Sequence, residues 1–244
     1  MPTTVSTQRQ PLVLPATRRG GIDWLAVVAV LAVAAVYVRA IWFTPVEATQ
    51  GPAQKILYVH ATAAFVGLYL GFGLVAVASA LYLWLKDEKL DRVAASAAEV
   101  GVVFTTVVLL TGPLWGKPVW GAWWTWDARL TLTLFLWFLG VGYLTLRGAI
   151  EDPAMRARFS AVLGLLAALL VPFIHLSVYL FRTLHPMPIV LKPSRPSMPP
   201  EMQVTFFSGF VAFALLYAAF LRARYRLAVR RERLAAHEEG EGMP

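Results

Sequence analysis

Residues Phe159–Phe181 read FSAVLGLLAALLVPFIHLSVYLF, a run without a single Asp, Glu, Lys or Arg. A bilayer core takes about 20 apolar residues per helix, so this stretch predicts a membrane span. Five further runs of the same kind follow from it in both directions: Ile22–Phe43, Ile56–Leu85, Val93–Leu114, Leu130–Leu146 and Val204–Leu221. The second is longer than a span needs, which predicts a tilted helix or one reaching the headgroups. The fourth is short and is expected to start inside the Trp-rich stretch before it. The first is too long for the apolar region of a signal peptide, about 7–15 residues, and no small-residue cleavage site follows it. It is read as a retained helix. The expected fold class is therefore all-α, a polytopic integral membrane protein with six transmembrane helices.

Composition agrees. Of 244 residues, 58% are hydrophobic and 15% charged, with mean hydropathy +0.62. Soluble domains carry about 45–50% apolar and about 25% charged residues. A soluble enzyme and a largely disordered chain are both excluded. There is no cysteine, which excludes thiolate catalysis, disulfides and Cys-ligated metal or Fe–S sites.

The net charge is +8, and its placement sets orientation. Fifteen Lys and Arg fall on the side of the termini: Arg9, Arg18, Arg19, Lys86, Lys89, Arg92, Arg147, Arg156, Arg158 and six Arg from Arg222 to Arg233. Six fall on the other side: Lys55, Lys117, Arg129, Arg182, Lys192 and Arg195. Arg39 lies within the first run, where it is expected to snorkel. Cations concentrate in cytoplasmic loops, so both termini are placed in the cytoplasm and loops one, three and five outside. The chain divides into a cytoplasmic arm (1–21), a membrane domain (22–221) and a cytoplasmic tail (222–244). Residues 1–17, rich in Thr, Pro and Gln, read as a disordered arm. The basic start of the tail suits anionic membrane lipid, and its acidic Gly-rich end reads as frayed. Basic loops flanking spans mark topology, so no nucleic acid partner is expected.

Outward loop three holds the most unusual stretch, WGKPVWGAWWTWDARLT from Trp115 to Thr131. Trp115, Trp120, Trp123, Trp124 and Trp126 are five of the nine Trp in the chain. An interfacial aromatic belt is the plain alternative, but belts place one or two Trp at a helix end. Five flat faces punctuated by Gly and Pro, followed by Asp127 and Arg129, suit a large planar apolar ligand carrying anionic groups. His60, at the outward start of span two, and His185, after span five, lie on the same face of the membrane. Neutral imidazole is an axial ligand for haem iron. His175 lies deeper, inside span five, and is expected to pack. His237 is in the tail.

Other signals are weaker. GPLWGK at Gly112–Lys117 lacks the spacing and the Ser/Thr of a phosphate-binding loop. Gly67 and Gly71 are expected to serve packing within the chain. Glu99 is open to a proton relay or a snorkelling position.

The WGKPxWGxWWxWDxRLT pattern resembles the tryptophan-rich WWD signature of haem-handling proteins of cytochrome c biogenesis, and most closely the haem exporter protein C (CcmC) family. The FTP turn at Phe43–Pro45, YVHATAA around His60, PFIH around His175 and TLH at His185 fall in the order of that family. The resemblance implies that His60 and His185 are axial ligands to the iron of haem b. It implies that Trp115, Trp120, Trp123, Trp124, Trp126, Asp127 and Arg129 hold the haem and meet the periplasmic haem chaperone CcmE. The implied partners also include the ABC transporter subunits CcmA and CcmB and the small membrane protein CcmD. The implied location is the bacterial inner membrane, with the haem site facing the periplasm. Presentation and transfer of haem, rather than enzyme catalysis, is the implied function. Arg129 is the first choice to pair with the haem carboxylates, ahead of Arg182 and Lys117. The Pro-rich loop after His185 departs from the familiar pattern.

Two alternatives remain: a haem permease, and a transmembrane b-type electron-transfer protein. Haem transport by this chain alone favours the first, and quinol-linked redox turnover the second. Topology is tested directly because the native chain offers no competing thiol. A single Cys placed after Trp124 is expected to react with an impermeant maleimide only from the periplasmic side. Labelling only from the cytoplasm contradicts the orientation and every site assignment that depends on it.

Overall fold

The computed structural model describes residues 21–189, 192–195 and 197–241. Nearly all of the arm assigned to 1–21, and Pro196 of the Pro-rich loop, lie outside the described residues. Among the described residues seven α-helices follow one another: α1 (Trp24–Val38), α2 (Leu57–Phe65), α3 (Gly73–Leu85), α4 (Glu88–Trp120), α5 (Ala128–Ala149), α6 (Pro153–Leu180) and α7 (Pro200–Glu241). A π-turn, Arg39–Phe43, extends α1, and a second, Val66–Phe72, joins α2 to α3. A short 3-10 turn at Pro52–Ile56 leads into α2. Six helical stretches are thus long and apolar enough to cross a membrane: Trp24–Phe43, Pro52–Leu85, Glu88–Trp120, Ala128–Ala149, Pro153–Leu180 and Pro200–Glu238. No strand is formed among the described residues.

Local chemistry sets the boundaries. Asp side chains cap four helix starts, accepting from Ala26 N, Lys89 N, Leu130 N and Met155 N through Asp23, Asp87, Asp127 and Asp152. Pro153 occupies the first turn of α6, where its missing N–H costs nothing. Gly121, at φ +76°, ends α4 in the left-handed conformation that glycine adopts without strain.

An even number of crossings puts the first and last spans' outer ends together. The connections 44–51, 121–127 and 181–199 therefore share the opposite end of the bundle. The second and third spans form its centre: α4 packs on α2 and α3, α7 and α1 lie to one side, and α5 and α6 to the other. Small residues allow these close crossings. A Cβ on Gly71 would stand 3.1 Å from the Gly101 Cα, and one on Gly67 would stand 3.1 Å from the Phe104 Cβ. Both glycines serve packing within the chain. The outward faces of the bundle carry apolar side chains such as Val77, Leu110, Phe138, Leu166, Leu169 and Phe173, as lipid contact requires.

The terminus-bearing end is tied by ion pairs: Asp91–Arg147, Asp23–Arg222, Glu99–Arg224 and Arg92–Glu232. Glu99 is met by Arg224 and Asp23 by Arg222, so two of the six Arg of the tail face carboxylates of the bundle. Arg39 Nε donates to Thr205 Oγ1 at 3.1 Å, joining the first span to the last. The last span does not stop at Leu221: α7 continues to Glu241. The Trp-rich stretch is not all loop: α4 runs on through Pro118 to Trp120, and α5 starts at Ala128.

The Asp91–Arg147 pair is bidentate, at 2.6 and 2.8 Å, with side chains only 13% and 17% exposed. Removing one partner leaves a buried charge, at a cost of about 3–5 kcal/mol. Arg147→Ala is expected to melt well below the wild type in nanodiscs, and the double variant Asp91→Asn/Arg147→Met to recover much of that loss. Equal melting of Arg147→Ala and wild type contradicts a structural role for the pair.

Candidate functional site

At the loop end, the bundle encloses a cavity of about 270 Å³. All three connections at that end contribute to its wall, through Gln50, the segment Trp120–Thr125 and the segment Leu184–Ile189. His60, His185, Trp115, Trp120, Trp123, Trp124 and Arg129 line it together. Asp127 and Trp126 do not. Asp127 caps α5 through Leu130 N at 3.0 Å, and Trp126 stands 76% exposed on the loop, its ring edge-on to Trp124 at 5.8 Å.

Each candidate imidazole is held by its Nδ1. The Thr111 hydroxyl donates to Val107 O at 2.7 Å, so its remaining capacity is to accept, and His60 Nδ1 lies 3.0 Å away. His60 therefore donates through Nδ1. His185 Nδ1 lies 3.0 Å from Pro186 O, which can only accept. In both rings the proton sits on Nδ1 and Nε2 keeps its lone pair, the state in which imidazole binds a metal. A Trp of the last turns of α4 supports each ring: Trp115 meets His60 edge-on at 5.7 Å, and Trp120 meets His185 at 6.3 Å. Trp115 is in turn fixed by Nε1 donating to Gln50 Oε1 at 2.9 Å.

Electrostatics favours the neutral state of the loop histidine. Burial, with the positive Arg129 nearby, pushes His185 down to about 3. Arg129 Nη1, Trp124 Nε1 and Thr125 Oγ1 are buried at the cavity and meet no partner among the described residues. A guanidinium N–H, an indole N–H and a hydroxyl left open together suit an anionic oxygen group. The other cations are less suited to this role. Lys117 Nζ donates to Gly121 O at 3.0 Å and lies over the Trp123 ring, and Arg182 is exposed and not in the wall.

Several residues of the cavity wall were not assigned to it from the sequence. His175 is not buried away in packing: it lines the cavity, with Tyr69 OH 2.7 Å from its Nδ1. Thr111 is one of many span hydroxyls, and only the fold brings it to His60. Gly112 and Gly116 were legible only as a failed phosphate loop, yet they make room. A Cβ on Gly112 would stand 3.3 Å from His60 Cε1, and one on Gly116 would stand 3.1 Å from Trp120 Cε3.

Residues 7–239 match the model of the family described as "Heme exporter protein C". Proteins carrying that name are similar over most of the chain. One from Haemophilus influenzae is 37% identical over 192 residues, 78% of this chain and 77% of its own. One from Bradyrhizobium diazoefficiens is 34% identical over 214 residues, 87% and 80% of the two chains. One from Rhodobacter capsulatus is 31% identical over 223 residues, 91% and 92%.

The lowered His185 value has a consequence for pH. A histidine depressed below its ordinary 6.5 stays neutral in the folded chain while the unfolded chain takes up its proton. The stability it contributes is complete above pH 6.5 and is lost as pH falls toward 3. In a His60→Gln/His175→Gln/His237→Gln background, nitrogen NMR of the remaining ring is expected to show neutral imidazole at pH 5. Arg129→Gln is expected to raise its midpoint toward 6.5. Half-protonation near pH 6.5 without that substitution contradicts the burial argument.

Proposed function

The chain belongs to the heme exporter protein C family, and from that premise we propose that it binds haem b as cargo and presents it on the periplasmic face. The haem then passes to the chaperone CcmE during maturation of c-type cytochromes. One observation carries the reading most. The cavity wall offers imidazoles held by Nδ1, with Nε2 free, and no Asp, Glu or Cys. No group of three or more His, Cys, Asp or Glu able to hold a bare ion occurs among the described residues. Two imidazoles can retain a metal whose remaining positions are already filled by its own macrocycle, which describes haem.

His60 and His185 are assigned as the axial ligands. Trp115, Trp120, Trp123 and Trp124 supply flat apolar surface, and Arg129, with Trp124 Nε1 and Thr125 Oγ1, receives a carboxylate. Asp127 acts by fixing the start of α5 and so the place of Arg129 two residues on. Trp126, exposed beside the mouth, and Trp123, 57% exposed, are assigned to the chaperone's docking surface. The contribution to transfer is positional: a held, oriented haem edge removes much of the entropic cost of meeting the chaperone's nucleophile. No acid, base or nucleophile of this chain enters the step, so we assign no enzyme activity. CcmA, CcmB and CcmD are the proposed companions in the bacterial inner membrane. The charge asymmetry of the loops, with the termini cytoplasmic, supports this orientation.

The test separates ligation from presentation. His60→Gly and His185→Gly are each expected to weaken haem retention at least tenfold and to shift the visible spectrum, with added imidazole restoring it. Trp123→Ala/Trp126→Ala is expected to keep the bis-histidine spectrum and lose chaperone loading, without rescue by imidazole. Wild-type spectra in both histidine variants contradict the assignment.

A further inference from the structure

Beside the cavity the surface carries a shallow, open depression lined by Tyr69, Pro172, His175, Leu176, Lys192 and Pro193. Tyr69 and His175 line both, so this pair stands where cavity and depression adjoin. Its two halves come from different spans, the π-turn Val66–Phe72 and α6, and they meet through the Tyr69 OH and His175 Nδ1 at 2.7 Å. A single side-chain hydrogen bond between half-buried groups is worth about 0.5–1.5 kcal/mol, so the pair parts at low cost.

The depression opens on the outer, exposed face of α6. Pro172 and Leu176 stand on the exposed side of α6, where Leu169 and Phe173 are 59% and 56% exposed. Leu176 lies four residues before the end of α6, about 6 Å below it, near the level where acyl chains give way to headgroups. Pro172 lacks an N–H and leaves the carbonyl one turn earlier without its helical donor, which loosens α6 there. The half-buried Lys192, whose Nζ donates to Ser197 Oγ and keeps further N–H donors, places an ammonium at the edge of an otherwise largely apolar opening.

We propose that this depression is a lateral portal through which the cargo enters from the outer leaflet, and that the Tyr69–His175 pair is its gate. The portal fits a flat apolar molecule with a carboxylate edge. The ring slides along Pro172 and Leu176 while the carboxylate stays near Lys192. Once past the gate the carboxylate meets Arg129, whose Nη1 is open, and the metal meets His60 and His185. This inference rests on the haem reading above and adds the route, which the ligand assignments leave open. The gate also gives His175 a role that neither packing nor ligation supplies.

The absence of native Cys makes the test clean. Leu176→Cys is labelled either with a bulky aromatic maleimide or with a methylthio group, and Leu166→Cys, on the same helix but outside the portal, is the control. Each protein is placed in nanodiscs whose lipid holds haem, and loading is followed by the growth of the Soret band. The bulky label at 176 is expected to slow loading at least tenfold, and the methylthio label and the bulky label at 166 to leave it unchanged. Protein loaded before labelling is expected to keep its spectrum. Tyr69→Phe, which removes the hydroxyl and little volume, is expected to speed exchange of bound haem with lipid several-fold. Equal loading with the bulky label at 176 and at 166 overturns the portal while leaving the haem site standing. Unchanged exchange in Tyr69→Phe overturns the gate. An unlabelled protein that takes up no haem overturns the haem reading itself and the portal with it.

Discussion

Lipid offers helices no hydrophobic reason to associate, so this bundle closes on shape and on internal polar partners. Shape comes from glycines at crossings: Gly71 against Gly101, Gly140 against Val102 and Phe72, and Gly164 against Val75 and Ser79. Polar closure is divided between the two ends. At the terminus-bearing end, four ion pairs join α7, α4 and α5 to one another and to the start of α1. At the loop end, Lys55 Nζ donates to the carbonyls of Ala40 and Ile41 in the last turn of the first span and of Thr44 just past it, and Arg39 reaches Thr205. With both ends tied, the middle of the loop end can stay open. The cavity is held in shape without having to fill itself.

That division explains why the functional groups are oriented rather than merely close. His60 leans on Gly112 and is fixed by Thr111. Trp120 leans on Gly116 and supports His185. The α4 helix therefore sets the attitude of both imidazoles, one from its face and one from its end, although it contributes neither. The prolines at 113 and 118 lie near the end of α4, and each lacks an N–H, which leaves the carbonyls of Leu109 and Leu114 without their helical donors.

The fold was largely legible from hydropathy, because a span must be about 20 apolar residues long whatever its partners. The ends of spans were not. Lys117 and Pro118 hid the end of α4 past Leu114, and the density of Arg after Leu221 hid the continuation of α7, where Arg222 and Arg224 meet Asp23 and Glu99 of other spans. The six aromatic and imidazole side chains that line the cavity from the expected set were visible as unusual residue types on one face. The positions of Trp126 and Asp127 were not, since adjacent residues in a loop point in unrelated directions. His175 was legible as a histidine inside span five, but not as part of the wall, because only the fold shows a cavity that reaches down to Tyr69 and His175. Thr111 and Gln50 orient His60 and Trp115 through contacts 51 and 65 residues apart in sequence, which no local pattern reveals.

The claim on which the account turns is that one haem sits between two neutral imidazoles of this chain. Electron paramagnetic resonance of the purified wild-type protein, reconstituted in nanodiscs with one equivalent of ferric haem, measures this most directly. The account predicts a low-spin ferric signal typical of bis-imidazole ligation, at a stoichiometry of one haem per chain. A purely high-spin signal, or haem that remains in the lipid, would contradict it.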